Sequence, residues 1–106
     1  MELKTFKDSL DRERPPADLP PPLCALWHQA KGDWHRAYSL VQDERTEAAA
    51  WVRAFLSRVE GDAASAAHWY NVAGRAHSTG SLSSEWRDIA GHLLETLAEP
   101  AFEMDH

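Results

Sequence analysis

The chain has 106 residues, of which 43% are apolar and 26% charged. That suffices for one globular domain with a real core, is too short for two ordinary domains, and rules out wholesale disorder. A formal net charge of −6 makes nucleic acid a poor partner, no stretch approaches the length of a membrane span, and one cysteine, Cys24, excludes an internal disulfide. Met1 to Leu10 is charged and lacks an apolar run, so no secretory signal is expected and a reducing, cytoplasmic setting is the natural reading.

The elements follow in chain order. Leu3, Phe6 and Leu10 are spaced to form one short amphipathic helix, although nothing caps it well. Pro15, Pro16 and the run Pro20-Pro21-Pro22 then interrupt any helix, because proline lacks the donor and pushes the preceding residue toward extended backbone. Residues 1–20 are therefore expected to be an N-terminal arm, 21–98 a helical domain and 99–106 an acidic tail.

From Pro22 the helical period is clear. Leu23, Leu26, Trp27 and Ala30 form one stripe, ended by Gly32, and Asp33 caps the next helix. Trp34, Ala37, Tyr38 and Val41 repeat the pattern, and polar residues 42–47 make a connection. Ala48, Trp51, Val52, Phe55, Leu56 and Val59 form a longer stripe ended by Gly61, with Asp62 as the next cap. Ala63, Ala66, Ala67, Tyr70 and Ala73 continue to Gly74 and a loop over 77–81. Leu82, Trp86, Ile89, Ala90, Leu93, Leu94 and Leu97 predict a final helix ended by Pro100. No useful β-alternation appears, so an all-α chain is expected.

Two segments match at an offset of 29 residues: Ala25 with Ala54, Gly32 with Gly61, Asp33 with Asp62 and Ala37 with Ala66. Each unit reads as helix, Gly-Asp turn, helix. Gly supplies the left-handed backbone that ends one helix, Asp accepts the free N–H groups that start the next, and the small Ala lets the two approach.

Gly61-Asp62, Ala66, Tyr70 and Ala73 resemble the second half of the tetratricopeptide repeat, and Gly32-Asp33 with Ala37 match its first part. The resemblance implies two stacked antiparallel helical hairpins with the last helix as a C-terminal cap. The period departs from the family's 34 residues, and in both units the first helix's apolar stripe lies two residues closer to the Gly than in the family, so a tighter turn is expected and the family's groove positions do not transfer. A second resemblance is to a set of short uncharacterised bacterial proteins. It rests on the Gly32-Asp33-Trp34 block and on Glu60-Gly61-Asp62 followed by Trp69-Tyr70 and Ala73-Gly74-Arg75. That set often has His where this chain has Ser57. The likeness implies a fold and brings no activity with it.

Function classes are weighed on the unusual residues. Of five tryptophans, Trp27, Trp51 and Trp86 lie inside their stripes and are expected in the core, while Trp34 follows a cap as a staple. Trp69 sits about 80° from the middle of its helix's apolar face, and Arg58 flanks its own. Trp, Tyr and Arg carry much of the binding energy at interfaces, so Trp34, Arg58, Trp69 and Tyr70 are the candidate binding residues, at the edge of the two hairpins. The competing reading makes them the seam between repeats, with Arg58 paired to a buried carboxylate such as Glu60 or Glu85. Arg53 is expected to face solvent, and Arg75 to complement a helix C-terminus.

His28, His35, His68, His77, His92 and His106 form no pair at helical metal spacing, and Cys24 with His28 would need two further ligands. Glu60 and Asp62 flank a turn glycine, the serines at 78–84 read as loop and cap, and no phosphate loop is present. No metal, no cofactor and no reaction is indicated. The expected function is a protein- or peptide-interaction module, with self-association compatible; the alternative is a small-ligand site or enzyme pocket at the Arg58–Trp69–Tyr70 edge.

Overall fold

The computed structural model describes residues 1–97. They form α1 (Leu3–Asp8), a 3-10 turn (Ser9–Asp11), α2 (Pro21–Ala30), α3 (Trp34–Val41), α4 (Glu47–Glu60), α5 (Ala63–Ala73) and α6 (Leu82–Thr96), with no strand among the described residues. The chain is all-α, as its periodicity predicts. The tail expected over 99–106, and the stop at Pro100, lie outside the described residues.

The two Gly-Asp turns are built alike. Gly32 and Gly61 take φ of +89° and +86°, the left-handed region that Cβ-bearing residues avoid. Each glycine N–H donates to the carbonyl three residues back (Gln29, Arg58) and each aspartate N–H to the one five back (His28, Ser57), closing the last turns of α2 and α4. The Asp33 carboxylate then accepts from the Arg36 N–H at 3.1 Å, and Asp62 from the Ser65 N–H at 3.0 Å. The Asp62 carboxyl is held below its usual range chiefly by that backbone donor. Across these short turns α3 packs against α2 and α5 against α4.

α4 is the central element and packs against α2, α3, α5 and α6. Its buried residues Ala49, Ala50, Val52, Ala54, Phe55 and Leu56 spread over more than one face, which a helix with neighbours on several sides requires. Small side chains allow the close approach of α5, where Ala54 meets Ala66 and Tyr70 in a second, smaller cluster. α6 lies against α1, α2 and α4, burying Trp86, Ile89, Ala90, Leu93 and Leu94. The Trp86 indole N–H donates to the Leu26 carbonyl at 3.0 Å, tying α6 to α2.

The segment expected as an arm is part of the same core. Phe6 is 0% exposed and stacks on Trp86 with ring centroids 5.6 Å apart. The Trp27 indole N–H donates to Ser9 Oγ at 3.1 Å, and Leu3, Leu10 and Leu19 pack against the core. Burying a Phe contributes roughly 1.5–3 kcal/mol, enough to hold a short helix that has no good cap. No helix among the described residues is long and apolar enough to cross a membrane.

Candidate functional site

The four candidate residues fall into two groups with separate partners. Trp34 opens α3, and its ring stacks on Tyr38 one turn later, with centroids 5.3 Å apart and planes within 6°. Its indole N–H donates to the Leu56 carbonyl of α4 at 2.9 Å, so the ring is fixed at both ends. Next along is Arg53 of α4. Its guanidinium lies 5.4 Å from the Tyr38 ring centre and 3.7 Å from that of Trp69 on α5. Trp34, Tyr38, Arg53 and Trp69 thus form a ladder across three successive helices.

Arg53 corrects the sequence reading. It was expected in solvent, yet it is half-buried, donating from Nη1 to the Gln42 carbonyl at 3.0 Å and from Nη2 to the Tyr38 hydroxyl at 3.2 Å. Its Nε is buried without a hydrogen-bond partner among the described residues. α4 packs on several sides, so the face opposite its main apolar stripe meets another helix. A helix with alanines at 48, 49, 50 and 54 carried that signal, since such a surface suits close neighbours on more than one side.

Arg58 and Tyr70 stand apart from the ladder. Both donate to Glu85 of α6, which is only 4% exposed: Arg58 Nη1 to Oε1, and the Tyr70 hydroxyl to Oε2. Arg58 Nη2 also donates to the Gly80 carbonyl at 2.8 Å, pinning the loop before α6. A buried carboxylate needs such partners, because an unpaired charge in a low dielectric is strongly disfavoured. Burial, and then the Glu85 carboxylate, push the Tyr70 hydroxyl well above its usual range. The carboxylate pairing weighed for Arg58 is therefore present, with Glu85 as its partner. The guanidinium stacked on Trp69 is that of Arg53, while Arg58 is engaged by Glu85 and Gly80.

A second Arg–Trp stack flanks α4. Arg75 lies 3.9 Å from the centre of the Trp51 ring and 2.9 Å from His92 Nε2 of α6. Trp51, expected in the core, is half-buried and packs against both core clusters, and Arg75 does more than complement a helix end. Trp27 and Trp86 are buried as expected.

The ladder borders a surface cleft of about 470 Å³, lined among others by Asp43, Thr46, Glu47, Arg53, Trp69 and Val72. Val72 is 49% exposed there. An indole face, an exposed valine and charges of both signs can seat a side chain and orient it by hydrogen bonds. No group of three or more His, Cys, Asp or Glu placed to hold a metal ion occurs among the described residues.

Comparison of the chain with family models, with curated proteins and with solved structures finds no match in any of the three.

Proposed function

We propose that this chain is a small interaction module that binds a protein or peptide partner on the face carrying Trp34, Tyr38, Arg53 and Trp69. The observation that carries the reading is the ladder beside its cleft. Three aromatic rings and one guanidinium are held in register by separate helices, half-exposed, next to an exposed Val72. Rigid aromatic and arginine side chains bind with little further loss of rotamer freedom.

The scaffold we propose is tetratricopeptide-like: α2–α3 and α4–α5 as stacked antiparallel hairpins, with α6 closing them. Support comes from the equal hydrogen bonding of the two Gly-Asp turns and from the packing of α6 on the first helix of each pair. A cytoplasmic location suits a chain with a single thiol. The alternative, a small-ligand or catalytic pocket at the Arg58–Trp69–Tyr70 edge, has less in its favour, because Arg58 and Tyr70 already donate to Glu85 and Trp69 points to Arg53.

The test is affinity capture from the native cell with the wild-type chain, Trp69→Ala and Val72→Asp in parallel, read by mass spectrometry. A partner captured by wild type and lost by both variants, each still folded, supports the proposal. Equal capture by all three overturns it. Val72 is exposed, so the second variant keeps the test meaningful if the first loses stability.

A further inference from the structure

A second surface lies away from the ladder. A groove of about 430 Å³ is lined by Lys7 of α1, Leu10 of the 3-10 turn, Ala30 of α2, Phe55 of α4, and Leu82, Trp86 and Arg87 from the start of α6. The lining is mainly apolar. Leu82 is 39% exposed, a large apolar side chain left facing water at the groove. Its charged residues are Lys7 and Arg87, with no acid among them, although the whole chain has a net charge of −6. Both are exposed, and neither pairs with an acid among the described residues. A mainly apolar lining that carries two cations and no acid attracts apolar groups accompanied by carboxylates.

We propose that this groove binds an acidic amphipathic peptide of a partner protein, its apolar side chains seated over Phe55 and Trp86 and its carboxylates meeting Lys7 and Arg87. Helix-in-groove recognition works this way, with apolar anchors giving affinity and rim charges giving orientation and on-rate. The groove's own charge, Lys7 and Arg87 with no acid in the lining, favours an acidic segment as its occupant. The groove is open and shallow rather than enclosed, which suits side chains delivered by a peptide better than a free fatty chain left half in water.

The proposal stands independently of the ladder, and its test separates the two. A display library of random linear peptides is selected against the wild-type chain and against Lys7→Glu/Arg87→Glu. Both substituted positions are exposed, and circular dichroism and thermal melting confirm that the variant is folded. Enrichment of peptides rich in Asp and Glu with large apolar residues is expected on wild type alone. A synthetic copy of an enriched peptide should lose affinity about tenfold or more on the charge-reversed variant and on Leu82→Asp, should weaken with added salt, and should bind Trp69→Ala as it binds wild type. Enrichment of neutral or basic peptides, equal enrichment on the charge-reversed variant, or no enrichment at all overturns the proposal. So does binding of dodecanoate that depends on Lys7 and Arg87 where no peptide binds, or a dimer in sedimentation that Leu82→Asp dissolves.

Discussion

The guanidinium of Arg53 lies 3.7 Å from the centre of the Trp69 ring, across the α4–α5 contact. Both residues are half-buried, so the stack is partly desolvated and contributes about 0.5–2 kcal/mol. A double-mutant cycle with Arg53→Met and Trp69→Ala should return a coupling in that range by urea denaturation. Trp69→Ala alone should cost about 1–2 kcal/mol, less than a fully buried Trp, because part of the ring already faces water. A coupling of zero would mean that the stack is not formed in solution.

Glu85 organises a second network, which joins α4, α5 and α6. Arg58→Met leaves the buried carboxylate with Tyr70 alone, and should destabilise the fold by about 2–4 kcal/mol. Glu85→Gln keeps an acceptor oxygen for Arg58, places an amide N–H that the Tyr70 hydroxyl can rotate to accept, and removes the buried charge, so its cost should be smaller. Denaturant midpoints of the two variants check the order; a larger loss for Glu85→Gln would contradict a network built around satisfying that carboxylate.

Tyr70 gives a pH signature. Its hydroxyl is raised above the ordinary value of 10.0, first by burial and then by Glu85. The folded state therefore holds a proton that the unfolded state has begun to release once the pH passes 10.0. Its contribution is fully present below that pH and is lost as the pH rises toward the raised folded value. Wild type should lose stability above this pH more steeply than Tyr70→Phe, as measured by thermal melting across the alkaline range. Parallel curves would show that Tyr70 titrates normally.

Phe6 tests whether the N-terminal helix belongs to the core. Phe6→Ala removes a fully buried ring stacked on Trp86 and should cost about 3–5 kcal/mol. A change under about 0.5 kcal/mol, the size of a surface substitution, would return residues 1–20 to the status of a separate arm.

Local chemistry was legible in the sequence. The Gly-Asp turns, a serine cap within 78–84 (Ser81, which accepts from the Ser84 N–H at 3.1 Å) and the stripes that bury Leu26, Phe55 and Ile89 depend on neighbours a few residues away. The burial of Trp27 and Trp86 followed from the same periodicity. For the candidate site, the sequence picked out Trp34 and Trp69 as related and offered Glu85 as one partner for Arg58. It assigned the wrong arginine to Trp69, because a helical wheel has a single reference stripe whereas α4 has neighbours on several sides. It also detached the N-terminal helix, since Phe6 gains its place from Trp86, eighty residues away in the chain. Periodicity fixes which side of a helix is apolar; which helix comes to lie against the remaining sides, and so which side chains stack or pair there, is decided only when the helices pack.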